Sequence, residues 1–183
     1  MTNFEQEKII QVVLYILNRT GGIDYYHVFK IIYFAEMKHL AKWGHRILSD
    51  EMRAIDYGPV PTKLYDAVKG KNAPQTRLAD LLREAIAFAG EDAPNVLLAK
   101  GPADMDYISA SEAEALDESI AENANLTFGQ LKEKSHDRAW REAFQRKNGT
   151  NKISAVSMAR VMHADEATLN YIQEQEEIEE ALL

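Results

Sequence analysis

Residues 30–65 read KIIYFAEMKHLAKWGHRILSDEMRAIDYGPVPTKLY. The first part, Lys30-Ile31-Ile32-Tyr33-Phe34-Ala35, lies inside a helix expected to begin after Asp24 and run to about Lys42. Val28, Phe29, Ile31, Ile32, Phe34, Met37 and Leu40 leave that helix little polar surface, and a helix apolar on most sides is central and buried. Asp24 is placed to cap it, accepting from the free amides of the first turn. After Trp43-Gly44 the period changes. Met52, Ala54, Ile55 and Tyr57 alternate in part and, with Ile47-Leu48 before a polar Ser49-Asp50, predict a small β-hairpin. Tyr57-Gly58-Pro59-Val60-Pro61 predicts a rigid corner. Gly58 reaches backbone states closed to other residues, and Pro59 narrows them further. Pro61 suits the first turn of a helix that ends at Gly70.

Outward from this centre the chain is mostly helical. Ile9, Val13, Ile16 and Leu17, widened by Ile10 and Leu14, mark a helix over residues 4–18 that stops at Gly21-Gly22. Lys69 to Pro74 reads as a polar loop. Leu78, Leu81, Leu82, Ala85 and Ile86 form one amphipathic stripe, closed by Gly90. Val96-Leu97-Leu98 is a short strand between Pro94 and Gly101-Pro102. Ser109–Glu112 and Thr127–Gln130 both have capping-box spacing and open two further helices. Ser135-His136-Asp137 opens another, which carries Trp140 and Phe144. After a linker at Lys147–Lys152, two helices follow, one over about Ser154–Met162 and one from Asp165 to the end. The fold class is α+β, mostly α: a compact helical domain with a small hairpin or short sheet.

The chain has 183 residues, enough for one domain with a core of its own. It has no cysteine, which excludes disulfides and thiolate chemistry. Its start has no basic leader and no small-residue cleavage site, and no apolar run reaches the ~18 residues of a membrane span. A cytoplasmic location with no membrane association is expected. The net charge of −8 repels a phosphate backbone, so direct nucleic-acid binding is not expected. The same field favours a basic protein partner, or serves solubility alone.

The order Lys30-Ile31-Ile32-Tyr33-Phe34-Ala35, His39-Leu40, Gly44, Ala54, Tyr57-Gly58-Pro59-Val60 and Leu64-Tyr65 resembles the Panacea domain, the SocA-like antitoxin family. Ser111-Glu112, Leu116-Asp117 and Ile120 resemble its late helix. Leu131, Ser135-His136 and Trp140 resemble its closing pattern. The likeness covers roughly residues 8–145, so residues 1–145 are read as the domain and 146–183 as a C-terminal helical extension packed on it. The resemblance implies no enzymatic activity and no cofactor. It implies a protein that binds and neutralises a partner toxin, usually encoded by an adjacent gene. Some members deliver the bound toxin to a protease.

Candidate partner-binding residues are Tyr33, Trp43, Tyr57, Gly58, Pro59, Val60 and Tyr65, which lie in or beside the shared motifs. The Tyr33 and Phe34 rings also read as core, with the Tyr33 hydroxyl hydrogen-bonded. The residues 57–61 corner can be rigid scaffold and still present Tyr57 or Val60. His27, His39, His45, His136 and His163 show no ligand spacing of a hydrolytic zinc site. His39 reads as a structural group, and His136 beside Asp137 as an aid to the helix start. Metal: none expected.

Two other classes compete. A small metal-dependent hydrolase would use His39, Glu36 and Asp56, provided that they converge. A homo-oligomeric or phage-associated interaction protein would dimerise through the last helix, marked by Leu169, Ile172, Ile178 and Leu182 and interrupted by Gln173–Glu177.

Overall fold

The computed structural model describes residues 1–69, 76–146 and 150–181. Its axis is helix α2, Tyr25–Trp43, capped by the Asp24 carboxylate and ended by Gly44 in left-handed backbone. Twelve of its residues are buried, on every side, as its composition requires. Helix α1, Asn3–Thr20, precedes it, with a Thr2–Glu5 capping box and Gly21 at its end. Between them lies a two-residue strand, β1, Ile23–Asp24.

Residues 52–61 form the hairpin, but with a different partner from the expected one. Strand β2, Met52–Ile55, pairs with β3, Gly58–Pro61, in the register Met52 to Pro61 and Ile55 to Gly58. The Ile47-Leu48 segment is no strand. The buried Glu36 carboxylate of α2 takes both of its amides, Ile47 N–H at 2.8 Å and Leu48 N–H at 2.6 Å. The expected corner at 58–61 is thus a strand, and Pro61 is its last residue. Pro59 and Pro61 have no N–H, so the ladder runs through Gly58 and Val60, and the outward Pro59 carbonyl accepts from Lys30 of α2. That placement costs no ladder bond. The other edge of β2 is covered by residues 151–153. Ala54 donates to the Asn151 carbonyl at 2.9 Å and Ile153 to the Met52 carbonyl at 2.8 Å.

Helix α3, Thr62–Lys69, follows. Its first amides are capped by the buried Asp50, which accepts from Lys63 N–H and Leu64 N–H, each at 3.0 Å. The expected end at Gly70 lies outside the described residues, as does most of the predicted loop at 69–74. Helix α4, Arg77–Ala85, is shorter than its stripe predicts. Ile86 turns extended and starts β4, Ile86–Phe88, because β5, Val96–Ala99, offers it a pairing surface. The sheet has the order β1-β5-β4, antiparallel throughout.

A single 3-10 turn at Met105–Tyr107 leads into α5, Ala110–Asn123, and then α6, Phe128–Ser135. Both capping boxes read from the sequence are present. Helix α7, Arg138–Phe144, starts at Asp137, and the His136 ring stacks on Trp140 at 3.7 Å. Helices α8, Ala155–Val161, and α9, Glu166–Ala181, close the chain. Residues 147–149 of the predicted linker and Leu182 lie outside the described residues. Helix α8 packs on α2 and α9, burying Ala155, Met158, Ala159 and Ile172. No described helix is long and apolar enough to cross a membrane.

Candidate functional site

The start of α2 is fixed by a histidine. His27 Nδ1 lies 2.6 Å from the Asp24 carboxylate and Nε2 lies 2.8 Å from the Leu126 carbonyl. Both partners accept, so the doubly protonated ring satisfies both contacts. The hydrogen bond to Asp24 raises its pKa accordingly, against burial. This clamp sets α2 against the α5–α6 connection and brings Phe128, the first residue of α6, beside Tyr26.

Around that junction the rings form a wall. Tyr26 and Phe128 are 4.4 Å apart between centroids, and Phe128 and Tyr57 are 6.1 Å apart. The Tyr26 hydroxyl donates to the Tyr57 carbonyl at 2.9 Å, tying the hairpin turn to α2. A second row runs Tyr25, Phe29, Tyr65, with spacings of 5.8 Å. The two rows and Val60 enclose a cavity of about 640 Å³, within the size range of ligand and anchor pockets. Tyr57 is 58% exposed and Phe128 50%.

The cavity also holds cations. Lys30 is fully buried, donates to the Pro59 carbonyl at 2.7 Å and sits 4.4 Å from the Tyr26 ring centre. Burial pushes its ammonium down to about 7. Gly58 makes room for it. At φ 97°, a Cβ there would come within 2.6 Å of Ser135 Oγ and 2.9 Å of Lys30 Cε. Lys69, at the mouth, donates to the Tyr25 hydroxyl at 2.6 Å. Lys132 lies 5.3 Å from the Tyr57 ring.

Of the residues singled out from the sequence, Tyr57, Val60 and Tyr65 meet in this cavity. Gly58 and Pro59 lie behind it, against Lys30. Tyr33 is in the core at 0% exposure, and its hydroxyl donates to Asp137 at 2.9 Å. Trp43 is half exposed at the far end of α2, on a separate cavity of about 440 Å³ shared with Met162 and His163. Sequence reading did not select Tyr26, Phe128, Lys30 or Lys69. Two of these carried a signal: Lys30 is a charge in a helix apolar all round, and Phe128 is an aromatic at a first-turn position outside any stripe.

The hydrolase residues have separate structural roles. Glu36 is fully buried on the Ile47 and Leu48 amides, and burial pushes its carboxyl up to about 7 despite Arg46 and those amides. His39 bridges the His45 carbonyl and Ser111 Oγ, and Asp56 is exposed in the hairpin turn. No cluster of three or more His, Asp or Glu side chains among the described residues is arranged to hold a metal.

Comparison with curated proteins and with solved structures found no match. The family model for the antitoxin SocA-like, Panacea domain matches residues 28–141, more than half of the chain, and spans Lys30, the hairpin, α3 and α6. The chain therefore belongs to the SocA-like antitoxin family and carries its Panacea domain.

Proposed function

We propose that this protein is a non-enzymatic antitoxin that binds and neutralises a partner toxin protein in the cytoplasm. The toxin docks over the cavity between α2, the hairpin, α3 and α6. Family membership supports the role. One observation carries the choice of surface: Tyr57 and Phe128 are large aromatic side chains, half exposed or more, side by side at the mouth of an aromatic cavity. Buried aromatic anchors supply most of the affinity in protein interfaces, and a rigid platform reduces the ordering cost of binding.

Tyr57, Val60 and Tyr65 are the proposed contacts within the shared motifs. Gly58 and Pro59 shape the platform, Tyr33 supports it from the core through Asp137, and Trp43 is a secondary contact. Residues 146–183 are read as an extension docked on residues 1–145, supported by the burial of Met158 and Ile172.

A growth assay tests the role. The product of the adjacent reading frame is expressed alone and together with this chain. Arrest by the neighbour and recovery on co-expression is the expected result. A harmless neighbour that also fails to bind this chain would overturn the reading.

A further inference from the structure

The charge around the cavity differs in sign from that of the molecule. The chain carries −8 overall, yet Lys30, Lys69 and Lys132 gather at this one place. None of the three pairs with a carboxylate among the described residues; Lys63 and Lys100 also lack such a pair, but they stand apart from one another, while Lys8, Lys38, Lys42, Lys134 and Lys152 are paired. Asp24, the carboxylate of the cavity wall, is already bonded to the His27 ring and backbone. The Lys30 nitrogen meets Pro59 O and faces the Tyr26 ring, a buried, aromatic setting with no counter-charge.

A buried ammonium without a counter-charge is costly. The group that would complete it is an anion small enough to enter between rings, carried on an apolar stem that the rings can cover.

We propose that the cavity is a receptor for an acidic side chain of the docking protein, an aspartate or glutamate next to an apolar residue, with Lys30 at its floor and Lys69 at its mouth as the counter-charges. This rests on the reading that a protein partner docks at this surface. It reverses the simple expectation from net charge: the partner's anchor is acidic, whatever its surface elsewhere. Binding a carboxylate next to Lys30 also favours the charged ammonium, so a proton is taken up above neutral pH. The depressed basicity of Lys30 supports this.

Blocked dipeptides serve as probes, with the full chain observed by NMR at pH 8. Acetyl-Phe-Glu-amide is compared with acetyl-Phe-Gln-amide and with acetyl-Phe-Gln bearing a free chain end. The Glu peptide is expected to bind about tenfold more tightly than the Gln amide, the scale of one charge-assisted hydrogen bond. It should shift the Tyr57 and Phe128 resonances and move the Lys30 Cε resonance toward its protonated position. Lys30→Met should reduce the preference to within about twofold. Lys69→Gln, at an exposed position, should reduce it in part.

Equal binding of Glu and Gln peptides, no shift at Tyr57 and Phe128 with either, or preference for the free chain end alone would overturn the proposal. A neutralising chain that shows no discrimination would lose the receptor and keep the toxin. Discrimination without a toxic neighbour would keep the receptor and lose the toxin.

Discussion

Single residues on α2 carry two charges into the core, and they titrate in opposite senses. Lys30 is depressed to about 7 by burial, from an ordinary value of 10.5. Between those values the unfolded chain holds more protons than the folded one, so this residue makes stability rise with pH across that window. Below about 7 both states are charged and the full burial penalty stands. At about 1.4 kcal/mol per pKa unit the span is on the order of 5 kcal/mol. Lys30→Met should therefore be at least as stable as wild type at pH 6, and its advantage should shrink by pH 9.5. Urea midpoints at both pH values check this, and a constant difference would contradict it. Gly58→Ala faces both a positive φ and the Ser135 and Lys30 contacts, and should cost ~2–4 kcal/mol in the same assay. That Lys30 is buried was legible in the sequence, from the apolar residues around it. Its acceptor was not, because Pro59 lies 29 positions away on a strand that the prolines disguised.

At the scale of elements, helices were easier to read than strands for a local reason. Capping boxes at Ser109–Glu112 and Thr127–Gln130, and caps at Asp24, Asp137 and Ser154, act within three residues of themselves. The strands depend on distant partners. β1 exists because β5 pairs with it, β4 cuts α4 short for the same reason, and Ile47-Leu48 is turned away from pairing by Glu36. Two helix starts also take caps from far along the chain. Asp50 serves α3, and Glu176 of α9 accepts from Ala155 N–H at 2.7 Å at the start of α8 while also meeting Arg46 at 2.9 Å. Asp50→Ala should cost about 2 kcal/mol, because it strips two capped amides at once. Glu176→Ala should cost a similar ~1–3 kcal/mol and loosen α8 and α9 together, read as faster amide exchange in both helices. Exchange changes confined to α9 would show that Glu176 does not couple them.

For the molecule as a whole, the cavity exists because α2, the hairpin, α3 and α6 converge, drawing residues from positions 24 to 128. The family motif includes Tyr57, Val60 and Tyr65, but two of the six rings, Tyr26 and Phe128, come from residues that no local pattern connects. This wall is where the partner is proposed to dock. Tyr57 and Phe128 are exposed enough for Tyr57→Ala/Phe128→Ala to leave the melting temperature within a few degrees of wild type. The decisive measurement is the affinity of that folded double variant for the protein encoded by the adjacent gene, by calorimetry beside wild type. The expected result is a loss of at least about 30-fold, the scale of a ~2 kcal/mol interface anchor, together with lost growth rescue. Affinity within threefold of wild type would contradict it and move the interface to another face of the domain.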